Sequence, residues 1–240
     1  MIQQITIDKR FQGPPFGANG GYCIGLALQA LGQDYPMAAE VSLYKPIPMD
    51  VPLNLSRQDG LSRLHQDDTL LVEGKPYDLD AVLKDIPPAV TYEEALAAEK
   101  ACVFPGYNPF RDCYVCGDRR DPRDAPHLMS GPVAGRKDGL LACVWRPSLY
   151  LADEGETVSA LQMAAVLDCP SAWAIFEPGE KALIGRQHLA LLKEVAVAQD
   201  YIVISWPIRR DGRKLFSGAA IFDHNGDLLG AAKSTWIRIE

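Results

Sequence analysis

One acid and one pair of glycines mark the chemistry this chain can do. Asp168 sits in an apolar run that opens with Val158-Ser159-Ala160-Leu161, and its neighbours at helical spacing are Ala164, Ala165, Ser171 and Ala172. A carboxylate among small, mostly apolar residues is unfavourable unless it is paired or used. It reads as an acid acting on a reacting group; the alternatives are an acid hydrogen-bonded for structure, or one facing solvent where Pro170 disturbs the helix. Near the N-terminus, Gly17-Ala18-Asn19-Gly20-Gly21-Tyr22 leads an apolar run that ends at Leu31. Asn19 can cap a helix there. A helix start offers free N–H groups and a partial positive charge, and glycine lets a ligand approach the backbone closely. Those properties suit a carbonyl whose oxygen gains charge during reaction. The plainer reading is a capped helix whose glycines only permit tight packing.

Geometry couples the two features. Asp168 lies nine residues after Ser159, about 13 Å along a helix, so it cannot reach a group held at the start of its own helix. If the two helices run antiparallel, Asp168 meets the Gly20 and Gly21 amides of the other. The position nine after Asn19 is Leu28, which is no acid. One working site and one degenerate site per chain are therefore expected.

The elements that must position these groups follow a coarse repeat. A helix over 20–31 is followed by strands at 38–47, 51–58, 61–73 and 77–84, with turns at Asp59-Gly60 and Glu73-Gly74-Lys75. A strand at 139–146 leads to a helix over 157–176, then to strands at 184–195, 200–210, 213–223 and 227–239. Asp211-Gly212 and Asn225-Gly226 are strong hairpin signals. Between the copies, residues 86–132 are proline-rich. They carry a short helix at 91–101 with Thr91 as cap and Glu94 three residues on, and otherwise read as a connection wrapping the surface. The fold class is α+β, with each helix packed on a sheet face. The helix at 157–176 is apolar almost all round and is expected to be buried.

Composition narrows the partners. The 240 residues carry a net charge of −7, which disfavours nucleic acid, whose phosphates call for clustered Lys and Arg. Arg119-Arg120 and Arg209-Arg210 are short and read as solvated surface, with a phosphate-bearing small ligand as the alternative. No stretch reaches the roughly 20 apolar residues of a membrane span, and Met1-Ile2-Gln3-Gln4 lacks a signal-peptide pattern. A cytoplasmic protein is expected, with no membrane partner. Of six cysteines, Cys23, Cys143 and Cys169 fall in apolar runs and read as small buried hydrophobes. Cys113-x-x-Cys116 could bind zinc with Cys102 and His127, or act as a redox pair. A second close ligand pair is missing, so the pair reads as packed thiols pinning the connection to the core, and no metal or organic cofactor is expected.

The order of motifs resembles the hotdog-fold thioesterase superfamily, and its tandem form resembles the double-hotdog acyl-CoA thioesterases. Gly20-Gly21-Tyr22 followed by Leu26 to Leu31 is similar to that family's glycine-led helix, Val41-Ser42-Leu43-Tyr44-Lys45-Pro46 to its strand ending in a basic residue and proline, and Gly74-Lys75-Pro76-Tyr77 to its late turn. Val144-Trp145-Arg146, His188 to Lys193 and Asp223-His224-Asn225-Gly226 follow in the same order in the second half. The resemblance implies two tandem hotdog folds, 1–86 and 133–240, packed as one unit and linked by 87–132. It implies hydrolysis of an acyl-CoA or other acyl thioester, with Asp168 as base or nucleophile, the Gly20 and Gly21 amides at the oxyanion, and an apolar tunnel for the acyl chain. Asn19, Tyr22, Ser171, Gln187, His188 and Ser234 are the substrate-binding candidates.

Members of the bacterial medium-chain type position water with an Asp, a Thr and a Gln. Asp168 matches the Asp, whereas the Thr position falls at Gly185 and the Gln position near Ser234, with Ser171, Gln187 or Thr235 as possible replacements. A binding protein that kept the tunnel and lost the chemistry is the first alternative. A hotdog dehydratase or hydratase is the second and needs a His beside the acid, for which His188 is the candidate. His188 alternates with Gln187 and Leu189 and reads first as a core or interface histidine. His65 and His224 read as surface. Exposed sheet edges would favour a homo-oligomer.

Overall fold

The computed structural model describes residues 2–106, 108–152 and 156–239. In chain order the elements are β1 (Ile2–Thr6), α1 (Gly20–Ala30), β2 (Met37–Leu43), β3 (Pro52–Gln58), β4 (Leu61–Gln66), β5 (Thr69–Pro76), α2 (Leu79–Leu83), α3 (Tyr92–Lys100), β6 (Gly131–Pro132), β7 (Leu141–Trp145), β8 (Thr157–Val158), α4 (Ala160–Val166), α5 (Cys169–Trp173), β9 (Ala182–Leu191), β10 (Val195–Ala196), β11 (Tyr201–Asp211), β12 (Lys214–Phe222) and β13 (Leu228–Arg238). Eleven strands form one antiparallel sheet in the order β1-β3-β4-β5-β2-β9-β13-β12-β11-β7-β6. β8 and β10 pair separately.

The order repeats about the β2–β9 contact. In each half, the strand after the helix takes the central place, and the three-strand meander runs outward to the strand that precedes the helix. The halves join where Glu40 pairs with His188 and Val41 with Gln187. Turn chemistry fixes the meanders. Asp59 and Gly60 both take positive φ (55° and 75°) between the paired Gln58 and Leu61, as a type I′ hairpin requires.

The main core lies between the inner sheet face and α1, α4 and α5. A second apolar layer covers the outer face of the second half, where α3 and the chain around it pack Val90, Ala95 and Ala98 on Ala142, Val144, Ile202 and Ile204. Every residue of β7 is therefore buried, as for a strand covered on both faces.

Several sequence expectations are corrected. The strand expected over 77–84 is helix α2: Asp78 accepts from the Asp80 amide at 3.1 Å, and Val82 packs on Ala38 and Ala190 of the outer face. The single strand over 61–73 is two strands turning at Asp67 and Asp68, and Glu73-Gly74-Lys75, expected as a turn, lies inside β5 and pairs with β2. Residues 2–6, given no element from sequence, form the edge strand β1. The connection does not simply wrap the surface, because Cys113, Tyr114, Val115, Cys116 and Leu128 are buried in the main core. The helix over 157–176 is broken, α4 ending at Val166 and α5 starting at Cys169. Pro170 has no N–H for the Val166 carbonyl and its ring would clash with it. Asp168 sits in the break, at φ −80° and ψ −82°.

Candidate active site

Asn19 shapes the first wall of the site. Its side-chain oxygen accepts from the Tyr22 amide at 2.9 Å and caps α1. Its side-chain nitrogen donates to Asp168 Oδ2 at 3.0 Å. The Gly21 amide donates to the same oxygen at 3.0 Å. No hydrogen bond to the Gly20 amide occurs among the described residues, and Gly20 lines the adjoining cavity.

The helices approach closely because α1 has glycines where they meet. A Cβ at Gly21 would stand 2.4 Å from Asp168 Cβ and 2.9 Å from Ala165 Cα; one at Gly25 would stand 2.6 Å from Leu161 Cα. Gly21 opposite Ala165 and Gly25 opposite Leu161 is an antiparallel register. Carried on towards the start of α4, it sets Leu28 against the end capped by Ser159, and Leu28 is no acid.

Asp168 is 2% exposed. Burial pushes its carboxyl up to about 7, helped by the neighbouring Cys113, while the hydrogen bonds from Gly21 and Asn19 pull the other way. Oδ1 is buried with no hydrogen-bond partner among the described residues. Ser171 fixes the backbone, its hydroxyl donating to the Asp168 carbonyl at 2.8 Å. Behind it, Trp236 Nε1 lies 3.2 Å from Ser171 Oγ, Ser171 Oγ 3.0 Å from Ser234 Oγ, and Gln187 Nε2 3.1 Å from Ser234 Oγ.

These groups face a cavity of about 270 Å³ walled mainly by apolar side chains, among them Phe16, Leu43, Ile47, Phe110, Ala172, Trp173, Phe176 and Ile184. Glu180 and Lys181 also line it. Glu180 is held by Arg210, at 2.9 Å, and by Arg238, at 3.3 Å. Asp168, Asn19 and Gly20 reach the wall together with Cys113, Cys116 and Cys169.

The remaining sequence candidates fall elsewhere. Tyr22 stacks on Phe11 with ring centroids 3.8 Å apart, away from the cavity wall. Ser171, Gln187 and Ser234 are buried behind the α4–α5 break instead of lining the cavity. His188 lies on the outer sheet face, because Gln187 and Leu189 on either side of it point inward. Its Nε2 is 2.9 Å from Glu40 Oε2, and its ring packs tilted against Tyr77 with centroids 4.4 Å apart. There, hydrogen bonds from His188 and Lys75 outweigh burial and keep the Glu40 carboxyl below its usual range. Sequence reasoning missed Cys169 as a neighbour of Cys113 and Cys116. It also missed Asn108, whose Nδ2 donates to the Cys116 carbonyl at 3.1 Å. The Cys-x-x-Cys spacing signalled one pair, and nothing local tied Cys169 to it.

No protein-family model and no curated protein matches the sequence. Solved structures do match in fold. A TesB protein from Mycobacterium avium subspecies paratuberculosis is 15% identical over 95% of this chain and 91% of its own, with a TM-score of 0.62. Acyl-CoA thioesterase II TesB2 from Mycobacterium marinum is 11% identical over 99% and 93%, with a TM-score of 0.61. A conserved protein with a hotdog fold from Alicyclobacillus acidocaldarius is 10% identical over 100% and 93%, with a TM-score of 0.58. At these identities the likeness is one of fold: an α+β protein of the hotdog kind, similar over nearly its whole length to thioesterase structures.

Proposed function

We propose that the protein is a double hotdog, with units at 1–86 and 133–240, that hydrolyses an acyl thioester of coenzyme A or a similar carrier. The observation that carries this reading is Asp168 Oδ2, from the second half, 3.0 Å from the amide of Gly21 at the start of the first half's helix, beside an apolar cavity. The acyl chain occupies the cavity and its carbonyl lies at the start of α1. Asp168 takes a proton from water as the water adds to that carbonyl, and the thiol of the carrier leaves with a proton. The Gly20 amide, with the partial positive charge of the helix start, faces the developing oxyanion. The Gly21 amide already serves the acid, so the pair of oxyanion amides expected from sequence reduces to one.

A second reading keeps the cavity for binding alone. It is favoured by Ser171, Gln187 and Ser234 bonding to one another, which leaves few polar groups to orient water in the cavity. A hydratase finds no support, because His188 faces Glu40 across the sheet and does not line the cavity. Free-thiol release from a panel of acyl-CoAs, from short to long chains and aromatic, separates hydrolysis from binding. Turnover supports the hydrolase, whereas saturable binding without turnover supports the binding protein.

A further inference from the structure

The same cavity wall holds three cysteines that the proposed hydrolysis does not use. Cys113 and Cys116 come from the connection and Cys169 from the start of α5. All three are buried, and their sulfurs lie within 4.8 Å of one another. Cys113 and Cys169 sulfurs are 3.6 Å apart. A disulfide would need about 2.05 Å. Two thiolates sharing a tetrahedral ion at about 2.3 Å stand roughly 3.8 Å apart.

The local chain is shaped for such a role. Gly117 follows the Cys-x-x-Cys pair and turns the backbone back: its amide donates to the Cys113 carbonyl at 2.8 Å. A Cβ there would stand 2.5 Å from that carbonyl oxygen and 2.6 Å from the Arg111 oxygen. Asn19 Nδ2 lies 3.7 Å from Cys113 Sγ and 3.9 Å from Cys169 Sγ, and Asn108 Nδ2 lies 3.8 Å from Cys116 Sγ. Amide N–H groups can only donate, so each sulfur has a donor beside it, and Cys169 Sγ also lies 4.0 Å from Asp168 Oδ2.

We propose that Cys113, Cys116 and Cys169 bind one thiophilic divalent cation of the zinc class as three thiolates, with the fourth coordination position open to the cavity beside Asp168. Binding releases the three thiol protons to solvent and leaves the ion and its three thiolates together with a net charge of −1, toward which the neighbouring amide N–H groups point. The ion clasps the connection to the α4–α5 break and so fixes where Asp168 stands. This replaces the sequence-based expectation of no metal. Cys102 and His127 take no part, since the third ligand comes from far along the chain. The site does not depend on the hydrolase reading.

The test is an anaerobic titration of the reduced, chelator-stripped full-length chain with Co2+. The expected result is one equivalent bound, with thiolate-to-cobalt absorption in the near ultraviolet and the visible bands of a four-coordinate ion, all displaced by one equivalent of Zn2+. Cys113→Ser and Cys169→Ser are expected to weaken binding at least tenfold, while Cys102→Ser leaves it unchanged. Wild-type protein without thiolate-to-cobalt absorption, or folded Cys169→Ser with an unaltered spectrum, would overturn the proposal. If the serine variants do not fold, the wild-type titration decides alone. Asp168→Asn is expected to keep the cobalt spectrum while losing turnover, so the metal and hydrolase readings fail separately.

Discussion

Asp168 and Gly21 are 147 residues apart in sequence and joined by one hydrogen bond of 3.0 Å. The bond needs the bare backbone of Gly21 in two ways: its amide must reach the carboxylate, and its missing side chain must leave room for it. Gly21→Ala places a Cβ 2.4 Å from Asp168 Cβ and 2.9 Å from the Ala165 backbone, which cannot swing aside. We expect a loss of about 1–3 kcal/mol and a fall in turnover per folded molecule. Thermal melts beside kcat measure both. Gly25→Ala strains the same helix contact at Leu161 and is expected to lower Tm with a smaller effect on kcat.

The polar chain behind the helix break holds Asp168 through its backbone. Ser234→Ala removes the hydroxyl that links Ser171 to Gln187 and leaves the buried Gln187 amide without that partner. A loss of about 1–3 kcal/mol follows. Because these groups do not line the cavity, KM for an acyl thioester is expected to stay within about twofold. A large rise in KM would place them against substrate after all.

Ala172 lines the cavity beside Trp173. Ala172→Phe is expected to shorten the space for the acyl chain. In a chain-length series, kcat/KM should fall for long acyl groups and hold for short ones; a uniform fall would argue that the chain lies elsewhere.

Glu180, at the cavity, carries a pH-dependent part of the stability. Burial alone would raise its carboxyl, but the hydrogen bond and charge of Arg210, with Arg238, hold it below the usual range. A carboxyl lowered in the folded state stabilises above its unfolded value, and that contribution is lost as pH falls through the folded value. Glu180→Gln should therefore be less stable than wild type near neutrality. In urea melts at stepped pH the gap should narrow as pH falls below the usual glutamate range and close once it has passed the lowered folded value.

The legible part of the fold was the part fixed by local chemistry. Asn19, Thr91 and Asp59-Gly60 act through neighbours within a few residues, so the cap of α1, the capping box of α3 and the hairpin turn could be read directly. Nine helical residues outrun any side chain, so Asp168 could not serve its own helix start; its pairing with the glycine-led helix followed from the hotdog resemblance, in which paired helices run antiparallel. What was missed depends on partners far away. α2 carries Leu79, Val82 and Leu83 at helical spacing behind Asp78, but its apolar face is decided by the outer sheet face it covers. The Cys113 and Cys116 thiols were expected to pin the connection to the core, but the rest of it looked like surface, because its prolines signal loops and nothing local shows that Tyr114 and Val115 are fully buried. The α4–α5 break was visible in Pro170, yet its consequence, an acid presented at an end of a helix instead of within it, needed the tertiary fold.

In the proposed hydrolase, Asp168 activates the attack on a thioester. The direct measurement is free-thiol release from a preferred acyl-CoA by wild type and by Asp168→Asn, with fold and ligand binding checked in parallel. The variant is expected to keep its melting transition and its affinity for the acyl-CoA while kcat falls roughly 100- to 10,000-fold. A variant that turns over as fast as wild type would contradict it.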